Sequence, residues 1–118
     1  MGDRLTVALG AINGAIAVAA GAFAAHGLRG RLEPRALEVF ETAARYQMYH
    51  ALAMVLAGVL AARVPGLVFQ AGIVLFSGSL YVLALTDVKA LGAITPFGGL
   101  AFILGWLWLA VRAWRGGV

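Results

Sequence analysis

The chain has 118 residues, of which 63% are hydrophobic and 12% charged, with a net charge of +4 and no cysteine. A single domain of that size cannot hide so much apolar surface from water, and soluble domains carry about 25% charged residues. The missing cysteines exclude disulfides, thiolate chemistry and Cys-ligated metals. The basic residues sit in short connections and at the ends, which is an anchoring pattern and not a nucleic-acid-binding stripe.

Leu5–Leu28, Tyr46–Ala62, Val64–Thr86 and Ala90–Val111 contain no Asp, Glu, Lys or Arg. A helix rises about 1.5 Å per residue, so roughly 20 residues cross the ~30 Å hydrocarbon core. The first span is expected over 5–25, with His26 in its last turn and Gly27 as its C-cap. It is too long for a signal-peptide core, and Ala24-Ala25-His26 is a poor cleavage site, so the span is expected to be retained. A polar connection over 28–35 leads to Pro34, which suits a first helical position.

The second helix is expected to start near Ala36 as an amphipathic, interfacial extension. Glu38, Glu41 and Arg45 share one face of it, while Leu37, Phe40 and Ala44 share another. Glu41 and Arg45 stand in the favourable i,i+4 order. The helix then spans the bilayer over 46–62. Arg63-Val64-Pro65-Gly66 reads as a tight turn before a third span over 67–85. Asp87 is placed to cap the fourth helix, which spans 90–111. Pro96 is expected to kink that helix, and Arg112, Trp114 and Arg115 give it an interfacial finish.

The predicted fold is therefore all-α: one domain over 1–118, a four-helix transmembrane bundle with both termini on the same side. Orientation follows from the excess of Lys and Arg on one side. The terminal side holds Arg4, Arg63, Arg112, Arg115 and the free amine; the other holds Arg29, Arg31, Arg35, Arg45 and Lys89. That count is nearly balanced, so the sequence sets no orientation.

Helix parity gathers His26, Glu41, Arg45, Gln47, His50, Asp87, Lys89 and Thr95 toward the side away from the termini. The opposite half has only Gln70 and terminal charges, and Asn13, Ser77 and Ser79 fall near the middle. His50 lies about 7 Å inside the apolar part of the second helix. It reads either as a proton relay or ligand contact, or as a neutral ring hydrogen-bonded to a neighbouring helix. Tyr46, Gln47 and His50 are expected to line one polar patch facing other helices. Tyr81, Thr95 and the Gly92 carbonyl are available to it as partners. His26 reads as an interfacial residue favoured by the helix dipole. Arg45 either snorkels to headgroups or pairs with Glu41 or Asp87. Two His without a third ligand do not make a metal site, and no cofactor is expected. Gly10 and Gly14, extended by Gly21, form a small-residue packing stripe, used either inside the bundle or against a second copy.

Four ordered segments also carry a family resemblance: Gly21–Leu28, Thr42–Ala53, Gly72–Tyr81 and Leu91–Gly99. Together they resemble the signatures of the domain-of-unknown-function 423 family, which is similar to eukaryotic transmembrane protein 256. The resemblance implies a small four-span protein of the bacterial inner (plasma) membrane and supplies no activity. It marks His26, Tyr46, Gln47, His50, Ser77, Ser79, Tyr81, Thr95 and Pro96 as motif positions.

The expected function is that of a non-enzymatic membrane protein. It packs with itself or a partner in the lipid bilayer and keeps a polar site that is structural or contacts a small polar ligand or ion. The alternative is a small oligomeric transporter or channel for an ion or small polar solute. The absence of a carboxylate deep within any span counts against proton antiport by a buried acid. A membrane enzyme ranks last, for want of a catalytic dyad, a phosphate loop or a metal-ligand set.

Overall fold

A computed structural model describes residues 2–117, and among them the fold is all helical, with no strand. Four helices run up and down. α1 spans Arg4–Leu28, α3 spans Arg63–Thr86 and α4 spans Lys89–Trp114; each is long and apolar enough to cross a membrane. α2, Pro34–Val59, is as long at 26 residues. Its middle carries Arg45, Gln47 and His50, which keep it less apolar than the other three.

The helix ends explain themselves chemically. Asp3 caps α1, its carboxylate accepting from the Thr6 backbone N–H and from the Thr6 hydroxyl at 3.0 Å. The same carboxylate takes the Arg63 guanidinium at 2.6 Å, and the Asp3 N–H donates to the Gly58 carbonyl at 2.7 Å. One residue thus ties the start of α1 to the end of α2 and the start of α3. The Arg63 guanidinium holds the Asp3 carboxyl at about 2, below its ordinary 3.8. Pro34 opens α2, as its missing N–H and fixed φ favour.

Several connections differ from expectation. The α2–α3 turn is made by Leu60–Ala62, with Ala61 in the left-handed region at φ 58. Arg63-Val64-Pro65-Gly66 is no turn but the first turn of α3, where a proline costs no hydrogen bond. Asp87 does not cap α4; it ends α3 in the left-handed conformation at φ 57, which a short polar side chain tolerates. Pro96 makes no mid-helix kink. A 3₁₀ turn over Lys89–Ala93 comes first, and Pro96 falls in the opening turn of the α-helical part, Thr95–Trp114. Gly27 is not a C-cap, because a wide π turn over Ala24–Leu28 carries α1 past it.

A second π segment, Ile73–Gly78, lies inside α3. The part before it, Arg63–Gly72, packs mainly on α4, and the part after it, Ser79–Thr86, mainly on α2. The central core is Ala53, Met54, Phe69, Ile73 and Phe102. Ala24, Leu28, Phe40 and Ala84 form a second cluster near the loops.

Glycines set the closest approaches. A Cβ on Gly10 would stand 2.9 Å from the Ala51 carbonyl oxygen and from Val55, and a Cβ on Gly98 would collide with the backbone of Phe76. The packing stripe is not uniform. Gly10 lies buried in the α1–α2 seam, and a Cβ on Gly14 would meet only the Ala51 Cβ at 4.0 Å. At Gly21 a Cβ would meet nothing within 4 Å among the described residues. The members that pack therefore do so inside the bundle. Outside, Ile12, Ile16 and Val18 of α1, Val74 and Val82 of α3, and Leu100, Ile103 and Leu107 of α4 are exposed. Hydrocarbon, not water, is the solvent that suits such a surface.

Candidate functional site: an amide chain and a stacked histidine

Three helices meet through one line of side-chain hydrogen bonds. The Tyr81 hydroxyl of α3 donates to Gln47 Oε1 of α2 at 2.7 Å. Gln47 Nε2 donates to Asn13 Oδ1 of α1 at 3.0 Å. Asn13 Nδ2 donates to Gln70 Oε1, back on α3, at 2.8 Å, and also to the Leu9 carbonyl at 2.9 Å. Asn13 and Gln47 are 6% and 4% exposed, so these bonds replace water that cannot reach them. Carboxamides do not titrate in the biological range. The line is built to hold helices in register, not to pass protons.

His50 belongs to a different environment. Its Nδ1 lies 2.8 Å from the Tyr46 carbonyl oxygen and its Nε2 lies 3.1 Å from the Trp106 indole nitrogen. An indole N–H only donates, so Nε2 accepts and the proton sits on Nδ1, where it donates to the carbonyl. This geometry fits one tautomer of the neutral ring and occupies both nitrogens. The ring lies flat on Phe102, with centroids 3.5 Å apart and planes 6° from parallel. An open groove of about 580 Å³ runs beside it, walled by Tyr46, Phe76, Phe102, Ile103 and Trp106. Those walls are aromatic and aliphatic, which is poor lining for a small hydrophilic solute.

The expected single patch of Tyr46, Gln47 and His50 is thus divided. One residue along a helix is a 100° rotation. It sends Gln47 toward α1 and α3, while Tyr46 and His50 turn toward α3 and α4. The Tyr46 ring is exposed and packs on Phe76 at 4.9 Å and Tyr49 at 5.5 Å. Tyr81 is a partner as expected, but of Gln47 alone. Thr95 is not: its hydroxyl pairs with Ser79 Oγ at 2.6 Å and with the Leu91 carbonyl at 3.4 Å. Ser77 donates to the Ala43 carbonyl at 2.8 Å, linking α3 to α2, and Ser79 donates to the Phe76 carbonyl at 3.0 Å. His26 is exposed in the last turn of α1, away from both groups. Arg45 is also exposed. It donates to the Thr42 hydroxyl at 3.3 Å, and among the described residues it pairs with neither Glu41 nor Asp87.

Asn13, Gln70, Phe102 and Trp106 are site residues that the sequence did not single out. Asn13 did leave a signal, since a lone carboxamide in an apolar span must find a partner. Gln70 was assigned to the other half of the bilayer, although two extended amide side chains bridge that offset. Trp106 has no spacing that separates it from the neighbouring Trp108.

Truncating His50 removes both the stacked ring and the acceptor for Trp106. His50→Ala should lose about 2–4 kcal/mol of stability. His50→Gln, which keeps an acceptor, should lose less than half of that in thermal unfolding in mild detergent. Equal losses would show that stacking on Phe102 alone sets the cost.

The chain has clear relatives. The family model described as protein of unknown function, DUF423, matches residues 20–99. The chain is 46% identical to a UPF0382 membrane protein of Staphylococcus aureus (strain bovine RF122 / ET3-1), over 95% of this chain and 97% of that protein. It is also 46% identical to UPF0382 membrane protein YwdK of Bacillus subtilis (strain 168), over 93% of this chain and 96% of the relative. A UPF0382 membrane protein of Staphylococcus haemolyticus (strain JCSC1435) is 45% identical over 95% and 97% of the two chains. No solved structure matches. Relatives that are membrane proteins agree with three helices suited to crossing a bilayer, and the chain belongs to the DUF423 family of membrane proteins.

Proposed function

We propose that this chain is a four-span, non-enzymatic protein of the bacterial plasma membrane that acts by packing, as a self-associating interaction module. The observation that carries this reading is the closed hydrogen-bond inventory of the interior. Among the described residues no buried side-chain nitrogen or oxygen lacks a partner. Asn13, Gln47, His50 and Ser77 all bond to groups of the same chain. A site for substrate or ion keeps some buried donors or acceptors free for it, and the groove beside His50 offers mainly aromatic and aliphatic walls instead. These features favour packing over transport of a small polar solute. α2 counts as the fourth span because it packs along α1 and α3, with its last turn bonded to Asp3 at the start of α1. Both termini then share one side.

The absence of native cysteine makes the test direct. A cysteine in a short N-terminal tag, Gly117→Cys and Val88→Cys are each exposed to a membrane-impermeant maleimide on intact cells. With four spans, Val88→Cys labels to the fraction complementary to that of either terminus, and a chain carrying both the tag cysteine and Gly117→Cys labels at both ends or at neither. Chains labelled at one end only would mean that α2 does not cross.

A further inference from the structure

Glu38, Thr42, Arg45, Tyr49, Leu52 and Leu56 lie on the outward face of α2, separated alternately by four and three residues. That is the spacing of a seam that receives a second helix. Tyr49, Leu52 and Leu56 are 52%, 62% and 47% exposed, and Glu38 and Arg45 are exposed as well.

Depth makes this face unlike a lipid-facing one. The Gln47–Asn13 and Ser77–Ala43 bonds set this part of α2 beside the middle of α1 and α3. Arg45 stands about 16 Å from the first residue of α2 and about 21 Å from the last. At that height the exposed residues of the other helices are apolar, Ala15, Ile16, Val74, Leu75 and Leu100 among them. A guanidinium held by one threonine hydroxyl is costly there unless another polar or aromatic surface covers it.

Moving Arg45 to mid-depth also changes the charge count. Arg4, Arg63, Arg112 and Arg115 remain on the terminal side, with Arg29, Arg31, Arg35 and Lys89 on the other. Equal numbers of side-chain cations give the insertion machinery no side to prefer.

The order of residues along the seam then decides how two copies meet. In a parallel pair, Arg45 faces Arg45 and Glu38 faces Glu38, and like charges repel. Turned end over end about the level of Gln47, Arg45 faces Tyr49, Thr42 faces Leu52, and Glu38 lies beside Leu56 near the surface. The two guanidiniums are then offset by about 6 Å along the axis and do not face each other, and each lies over a phenol ring, a favourable cation–π contact.

We propose that the chain inserts in both orientations, and that two oppositely oriented copies pack α2 against α2, with Arg45 of each on the partner's Tyr49. The inference rests on the four-span reading and names its self-association surface. The test uses oxidative cross-linking in native membranes of co-expressed single-cysteine chains. Thr42→Cys with Leu52→Cys should give a mixed dimer, while Thr42→Cys alone and the same-height lipid-face control Val74→Cys should not. Tyr49→Leu in both chains should lower the mixed yield about tenfold, and Tyr49→Phe should preserve it. Val88→Cys should label to about half from outside the cell.

Several outcomes overturn the proposal. Thr42→Cys cross-linking to itself would mean a parallel pair, and a Val74→Cys yield equal to the mixed one would mean random collision. No α2 cross-link in any pairing would leave the seam without a partner. All-or-none Val88→Cys labelling, with the termini complementary, would remove dual insertion and leave the four spans standing. Double-cysteine chains labelled at one end only would instead fail the span reading itself.

Discussion

Gln47→Leu is expected to lower the unfolding free energy by about 2–4 kcal/mol. Gln47 is the middle of the interior line: it accepts from Tyr81 and donates to Asn13. Leucine fits the space but leaves the Tyr81 hydroxyl and the Asn13 carbonyl oxygen without partners. An orphaned buried polar group costs about 1–3 kcal/mol, while a helix-to-helix hydrogen bond inside a membrane contributes about 0.6–1.7. The orphans, not the lost bonds, therefore dominate. This gives a test by sign. Tyr81→Phe in the native chain should cost about 1 kcal/mol, because it strands one Gln47 lone pair. In the Gln47→Leu background the same change should be neutral or stabilising, because it removes an orphan. Reversible unfolding in mixed micelles reads both. Additive costs would mean that the interior line is not coupled.

Gly98→Ala carries the second large effect, expected at about 1–3 kcal/mol or more. The new methyl would collide with the backbone nitrogen and Cα of Phe76, and backbone cannot rotate away as a side chain does. Relief requires α4 to move off α3, loosening Phe102 and the ring stacked on it. Gly99→Ala, one residue on, supplies the control. Its Cβ would meet only Phe76 Cδ2 at 3.9 Å, so the change should be neutral or slightly stabilising through helix propensity. Equal melting temperatures for the two variants would show that the α3–α4 seam is looser than described.

Uncharged runs of bilayer length made the helices legible in the sequence, because the physics that selects them is one-dimensional. Pro34 was legible for a similar reason: its own ring chooses the position. Pro65 and Pro96 were not, since a proline is compatible both with ending a helix and with its first turn, and the neighbouring helices decide which. Asp87 was read as an N-cap, yet the last turn of α3 needed a residue able to take positive φ. The site was half legible. Burial of Gln47 and His50 follows from the cost of polar atoms in hydrocarbon. Which helix each faces depends on rotations of 100°, finer than counting spans resolves. Gly10 shows the same limit, because GxxxG spacing looks identical whether the close neighbour is α2 or another copy.

The π segment Ile73–Gly78 bears on how α3 tolerates insertion and deletion. A π turn holds one more residue than the α turn it replaces, so everything beyond it is rotated by about 100° relative to a regular helix. Here that offset lets Phe69 aim at α4 while Tyr81 aims at Gln47. Loss of a single residue between 73 and 78 would restore an unbroken α-helix and keep its hydropathy. It would also swing Tyr81 off its acceptor and carry Ser79 away from Thr95. Length in this stretch is thus a coded quantity: a chain one residue shorter would remain a good membrane helix and become a different neighbour.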